Sequence, residues 1–420
     1  MLPLPVKKYL QARAIKGHWR ISGSPANDFS GAVVIPALAE SGYLFATLRS
    51  LAANPTELLA RFLVLVVVNH REDGPAADKD DNYETLKQLA AAKPELAHLR
   101  LAWVDAASPG LELPAKGGGV GLARKIGLDL ALSRLDFSGQ IPLLISLDAD
   151  TLTEPSYLHA LTQHFRHSAC GGAVIPFCHR PGATPVEQGA IDRYELFLRS
   201  YVLGLALAGS PYAFHTIGSA MACTASAYIR MSGMNRRPAA EDFYFLQQLH
   251  RTAGVEQLQG TLVFPSARPS HRVPFGTGSA ISRTIRGNAR AVMFYRPECF
   301  RILGAWLKLI TMNPDREAGA ILADVMAVSP HLAGYLESAG FIGVWERLRS
   351  NHRGAEALCL AFHGWFDGLK SMKLIHFLSA GPYPRCELEE AIPPLLDWAG
   401  LERVSGVFEH LALLRMMQNR

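Results

Sequence analysis

Long apolar runs and paired cysteines are both missing from this chain. No stretch reaches the roughly 18 uninterrupted apolar residues that a membrane-crossing helix needs. The run "FLVLVVV" at 62–68 is far too short and suits a buried strand. The opening "MLPLPVKKYLQARAIKGHWR" lacks the apolar core of a secretory signal. Cys170, Cys178, Cys223, Cys299, Cys359 and Cys386 form no CxxC pair and share no repeated spacing. That speaks against a zinc site and against a disulfide framework, and fits a reducing cytoplasm. Peripheral association with the inner face of a membrane stays open. Charge is also sparse: 42 basic against 37 acidic residues leave a net +5. Such an excess does not argue for nucleic acid, which calls for a clustered basic face. A local basic site for a phosphate-bearing small molecule remains compatible with it. Two nucleotide signatures are absent as well. No GxxxxGK[ST] occurs, which excludes a P-loop, and no GxGxxG follows the first expected strand, which disfavours a nicotinamide enzyme.

What is present is a globular composition, 49% hydrophobic over 420 residues, enough for one large domain and an appendage. Short β-branched runs alternate with helical patterns through the first part. "GAVVIPAL" (31–38), "FLVLVVVNH" (62–70), "LRLAWVDA" (99–106) and "IPLLISLDAD" (141–150) are expected strands. Helices are expected at 41–53, 82–92, 119–135 and 155–168 between and after them. This alternation predicts an α/β fold, a mostly parallel sheet with helices on both faces. A further strand at 171–179 and a long helix at 187–208 follow. That helix either lines an acceptor groove, approaches a lipid surface or is ordinary core. From about Met293 onward only helical spacing remains. The expected division is an N-terminal extension (1–30), an α/β domain (31–290) and a helical C-terminal region (291–420).

In open α/β sheets ligands bind beyond the carboxyl ends of the strands. The residues expected there are Pro36 to Glu40, Asn69 to Asp73, Asp105, and the pair Asp148 and Asp150 in "LLISLDADTLTEP". Two carboxylates one residue apart either cap the next turn or reach one cation. Mg²⁺ and Mn²⁺ favour such oxygen ligands and share them with substrate phosphates.

Five ordered segments together resemble the family 2 glycosyltransferases, which have the GT-A fold. "VVIPALAE" resembles that family's first strand, V-I-P-A-x-N-E, and "KGGGVGLARKIGLDLAL" its G-x-A-R-N-x-G helix start. "LISLDADT" matches its DxD strand, "IGSAMACTASAYIRMSGM" its acceptor-side segment, and "AAEDFYFLQQL" its E-D-x-x-L helix. The likeness spans about 31–275. It implies a metal-dependent, inverting hexosyl transfer from a nucleotide-sugar donor to a glycan, lipid-linked or small-molecule acceptor. By resemblance Asp150 is the direct ligand of Mg²⁺ or Mn²⁺, with Asp148 serving the metal or the ribose. Pro36, Glu40 and Asn69 are placed at the base and ribose, with Lys116 and Arg124 near the nucleotide. Asp242 is implied as the base that deprotonates the acceptor, with Glu241, Gly218 and Ser219 on the acceptor side. In "PSARPSHRVPFGTG" (265–278), Arg268 and Arg272 are candidates to clamp the diphosphate, and His271 to join the metal. His179, His215 and His250 compete for that last role.

The chain departs from the family pattern at Ala39, where Asn is usual, at "VVNHRED", and at Lys125, again in place of Asn. A nucleotidyltransferase would carry a Gly-rich basic loop after the first strand, and "IPALAESGYL" offers none. The remaining rival is a non-catalytic nucleotide-sugar-binding protein or a scaffold of polysaccharide assembly. The motifs leave donor sugar, nucleotide, acceptor and oligomeric state open.

Overall fold

The computed structural model describes residues 2–91, 93–270, 276–286, 292–312 and 314–419. It resolves into two compact units. One contains residues 1–183, 216–279 and 419–420; the other contains 184–215 and 280–418.

The first unit is an α/β domain, the fold class that the alternation predicts. Its strands are β1 (Ile21–Gly23), β2 (Gly31–Ala37), β3 (Phe62–Asn69), β4 (Arg100–Ala106), β5 (Leu143–Ser146), β6 (Leu152–Thr153), β7 (Gly172–Val174), β8 (Met221–Thr224), β9 (Val255–Gln257) and β10 (Val263–Phe264). Eight of them form one sheet in the order β1-β4-β3-β2-β5-β8-β7-β9, and β6 pairs with β10 separately. The central run β4-β3-β2-β5 is parallel; β8 lies antiparallel to β5 and β7, and β1 antiparallel to β4.

β2 and β3 are buried at every residue. Helices cover both faces of a parallel sheet, so the central strands have no solvent side and read as unbroken apolar runs. Pro36 sits in β2 without breaking the ladder. Val34 accepts from Leu147 N on the β5 side, so the N–H that Pro36 lacks would point to that side as well. The β2–β5 register ends at Val34 with Ser146, so no carbonyl of β5 is left waiting there.

The first thirty residues are bound into this unit. β1 extends the sheet edge, and the Leu4–Ala12 helix is anchored by Tyr9, whose hydroxyl donates to Asp129 Oδ1 at 2.7 Å. Trp19 Nε1 donates to Leu111 O at 2.7 Å.

The second unit is helical. Among the described residues it takes the long Pro185–Leu207 helix together with eight helices between Pro297 and Gln418. Thr184 caps the long helix by accepting from Glu187 N, the start of a capping box. Its core is aromatic: Trp306, Phe341, Trp345, Phe362 and Phe366 are all buried, with Trp306 and Phe341 rings 5.0 Å apart. Glu195, fully buried on the long helix, accepts from Arg199 Nε at 2.8 Å and from Arg415 Nε at 2.7 Å. That helix is therefore core of the helical unit. Among the described residues no helix is long and apolar enough to cross a membrane.

Candidate functional site

β2, β3, β4 and β5 run parallel, so their last residues share one edge of the sheet. Beyond β5 the chain keeps alternating. Leu147, Ala149 and Thr151 are buried, whereas Asp148 and Asp150 between them are partly exposed. Ala149 O accepts from Thr47 Oγ1 at 2.8 Å, and Asp148 O accepts from Thr151 N at 3.1 Å. These bonds fix the turn so that both carboxylates leave it toward the edge.

Arg124 reaches the same place from the Val120–Ala131 helix, which lies over β2 and β3. Its guanidinium is buried. Nε donates to Ser146 Oγ at 3.0 Å, Nη2 to Asp148 and Nη1 to Glu241. Glu241 opens the Glu241–Ala253 helix, so a single side chain ties the end of β5 to the start of that helix. Two glycines make room. A Cβ on Gly218 would overlap the Arg124 guanidinium, and one on Gly121 would overlap the Arg237 carbonyl. Asp242 stands next to this cluster and accepts from its own neighbour Phe243 N at 2.8 Å. Burial raises its carboxyl above the ordinary range; the Arg124 charge and the Phe243 N–H oppose that, and the Asp148 charge adds to it.

A second arginine performs the same linkage on the other side. Arg268 Nε donates to Asp150 Oδ2 at 2.9 Å and Nη2 pairs with Glu40. Its guanidinium lies 4.0 Å from the centre of the Tyr43 ring, which holds it as a cation over a π face. Asp150 and Arg268 are about equally exposed, at 21% and 20%, so solvent and solutes reach this pair.

The backbone is strained just before both acidic positions. Ala39 (φ 52°) precedes Glu40 and Ala240 (φ 56°) precedes Glu241 and Asp242. Alanine in the left-handed region costs about 1–2 kcal/mol, and such residues gather where geometry serves function. Ala39 N donates to Asn82 Oδ1 at 2.9 Å, which holds the turn.

The other sequence candidates fall as follows. Pro36 and Asn69 are buried in their strands, and the Asn69 amide donates to Ala37 O at 3.1 Å and Val67 O at 3.0 Å. Ser219 and Gly218 are buried beside β8. Lys116 is exposed on the loop ahead of the Val120–Ala131 helix. Asp105 closes its own turn by accepting from Ala107 N and Ser108 N. His179 bonds Thr277 Oγ1 at 3.2 Å, His250 is part of the Glu241–Ala253 helix, and His215 belongs to the helical unit. His271 and Arg272 lie outside the described residues. Sequence reasoning missed Tyr43, Asn82 and the two left-handed alanines. A tyrosine three residues after Glu40 in "AESGY" was the one local signal for the first.

Among the described residues no group of three or more His, Cys, Asp or Glu is arranged to hold a metal ion. Asp148 and Asp150 nevertheless have the donor chemistry of a Mg²⁺ or Mn²⁺ site that shares its ligands with phosphates, for which one or two carboxylates suffice. At Asp150 the ion would exchange with Arg268, a surface-accessible partner and not a buried one.

No protein-family model matches the chain, and no curated protein does. Among solved structures it is similar to S. aureus TarS 1–349 in complex with UDP-GlcNAc, at 14% identity over 71% of this chain and 72% of that one, with a TM-score of 0.38. It is also similar to the mannosyltransferase PcManGT from Pyrobaculum calidifontis in complex with GDP-Man and Mn²⁺, at 15% identity over 99% and 94% of the two chains, TM-score 0.37. A mycobacterial protein follows at 13% identity over 68% and 77%, TM-score 0.34. At these scores no residue role passes from them to this chain.

Proposed function

We propose that this chain is an inverting glycosyltransferase of the GT-A type, moving a sugar from a nucleotide-sugar donor to a hydroxyl acceptor. The observation that carries the reading is the Arg124 bridge. It joins Asp148, two residues beyond β5, to Glu241, next to which Asp242 feels the Asp148 charge. In the proposed reaction Asp242 accepts the acceptor's hydroxyl proton. The acceptor oxygen bonds to the anomeric carbon as the bond to the diphosphate oxygen breaks, and the diphosphate leaves with that electron pair. A carboxyl with a raised pKa is a better base for this than an ordinary one, provided it is ionised at the working pH. Glu241 is a positioning residue, held by Arg124. Arg268 is placed to pass from Asp150 to the diphosphate, for which a guanidinium fork is well shaped. A divalent ion on Asp148 and Asp150 would act as a Lewis acid for the leaving diphosphate.

The first test is a titration of UDP, GDP, dTDP and CMP, each with Mn²⁺ and with EDTA, on the natural chain and on Asp150→Ala. Binding of one nucleotide that needs both the ion and Asp150 is expected. Failure of every nucleotide, or binding indifferent to metal and to Asp150, would sink the metal-bridged site. A second reading, a donor-binding protein that does not transfer, draws on the salt bridges that Arg268 makes to Asp150 and Glu40. It predicts nucleotide binding with no turnover of the matching nucleotide sugar, with or without acceptor.

A further inference from the structure

The α/β unit has a concavity of about 510 Å³ at the opposite edge of its sheet. Phe62 and Leu143, the first residues of β3 and β5, line it together with Thr224, the last residue of the antiparallel β8. These positions mark the amino edge of the parallel strands. The cavity is thus separated from Asp148 and Asp150 by the length of the strands, and the proposed transfer makes no use of it. Its volume lies within the roughly 300–1,000 Å³ typical of small-molecule pockets.

Two features of its lining point to a ligand. Arg61, Arg166 and Arg230 all contribute, and all three are exposed. Their bonds go to neutral oxygens: Arg61 Nε to Ser30 Oγ at 3.1 Å, Arg166 Nε to Gln140 Oε1 at 3.3 Å, Arg230 Nη1 to Thr252 O at 3.2 Å. Among the described residues none of the three forms a salt bridge, in contrast to Arg124 and Arg268. Glu256 accepts from the lining residue Ser168, through its Oγ, at 2.6 Å. Three like charges around one concavity repel each other and focus a positive potential that an anion would relieve. Between the arginines the wall is mixed, with an apolar strip set among hydroxyl side chains such as Ser30, Thr162 and Ser226. Phe62 and Phe165 line it, and Ile141 stands at its lip with 58% of its surface in water.

We propose that this cavity is a second binding site, for an amphipathic anion whose phosphate engages the arginines and whose hydrocarbon chain lies on Phe62, Ile141 and Phe165. Guanidinium forks fit phosphate oxygens, and a concave, partly apolar wall fits a single chain more closely than it fits the flat surface of a bilayer. The proposal stands apart from glycosyl transfer and survives its failure.

Octyl phosphate, inorganic phosphate and vesicles containing phosphatidic acid are the probes, titrated by calorimetry or sedimentation against the full chain. Saturable one-to-one binding of octyl phosphate is expected, at least roughly tenfold tighter than inorganic phosphate, since each buried methylene adds to it. Arg61→Gln and Arg166→Gln should each weaken it roughly tenfold, the scale of one lost charge-assisted hydrogen bond. Ile141→Ser should weaken octyl phosphate and leave inorganic phosphate unchanged, which tests the tail separately from the head. Asp150→Ala should change nothing. Absence of saturable binding, equal affinity for octyl and inorganic phosphate, binding only to vesicles, or loss of binding in Asp150→Ala would each overturn the proposal. Melting temperatures of the arginine variants, all at exposed positions, verify that they fold.

Discussion

Arg124 and Lys125 are neighbours on one helix, are buried alike at 2% and 4% exposure, and serve opposite ends. Lys125 belongs to a closed network. Its ammonium pairs with Asp129 at 2.9 Å and donates to Tyr9 Oη at 3.1 Å; Tyr9 and Tyr228 each donate to Asp129 Oδ1 at 2.7 Å, and Ile15 N donates to Oδ2 at 2.7 Å. Both tyrosines are pushed well above their ordinary pKa by burial and then by the Asp129 charge, so they stay neutral donors. Every partner lies within the α/β unit, and the network joins the N-terminal helix to the domain. Arg124's network is open at one end. It runs from buried Glu241 to Asp148, whose side chain is 36% exposed, and Asp242 sits beside it. A closed charge network lends specificity to a fold, while an open one leaves a charge facing whatever binds.

That contrast can be broken in a definite order. The largest effect is expected at Asp242→Asn, which removes the proposed base and should lower kcat roughly 10²- to 10⁴-fold. The same substitution should raise the melting temperature. The folded protein binds this proton more tightly than the unfolded chain does. The ionisation penalty is therefore absent below the ordinary carboxylate range, grows as pH rises to the raised value, and is constant above it. Thermal melts at pH 7 and at acidic pH check this: the gain should vanish in acid. A gain that persists there would assign it to something other than charge. For the same reason the acid limb of the pH–rate profile of the proposed transfer should lie above the ordinary carboxylate range.

Next comes Asp129→Asn, which leaves the Lys125 ammonium buried without its counter-ion. Breaking a buried pair from one side costs about 3–5 kcal/mol. Denaturant melts should show that loss while kcat per folded molecule stays unchanged; a kcat loss of tenfold or more would place Asp129 in the site. Replacing both partners, Lys125→Met with Asp129→Leu, removes the unpaired charge but should recover only part of the stability, because the Tyr9 and Tyr228 hydroxyls and Ile15 N then lose their acceptor. The corresponding double substitution of Arg124 and Glu241 should recover stability without recovering activity.

Much of the fold was legible because parallel strands buried on both faces leave unbroken runs such as "VLVVV". The strand expected over 141–150 was legible for the same reason, although β5 stops at Ser146 and Asp148 and Asp150 lie just beyond it. Linear order concealed what depends on distant partners. Nothing local shows that Lys125 answers Tyr9 and Asp129 in a closed network. The Pro185–Leu207 helix follows the β7 segment in sequence, yet groups with helices more than a hundred residues away, through Glu195 and Arg415. Arg124 was legible as a cation near the nucleotide and Arg268 as a candidate diphosphate clamp, but neither as a bridge between carboxylates, because pairing is a property of geometry and not of spacing.

The smallest expected effect is also the most informative about positioning. Ala240 holds a left-handed conformation directly ahead of Glu241 and Asp242, and Asn235 Nδ2 fixes the next turn by donating to Glu241 O at 2.8 Å. Glycine accepts that φ without the Cβ clash, so Ala240→Gly should relieve up to about 1 kcal/mol in the folded state, offset in part by the greater freedom of the unfolded chain. Were Ala240 only a tolerated defect, stability would rise slightly and kcat would hold. If the strained alanine instead holds Asp242 on its line to the acceptor, kcat should fall several-fold with KM for the donor unchanged, since misplacing a base by a fraction of an ångström slows proton transfer without touching the nucleotide. Ala39→Gly is the matching control at the Glu40 side. There the same loosening should appear in donor KM and leave kcat alone, because Glu40 pairs with Arg268, which also holds Asp150, whereas Ala240 leads to the proposed base.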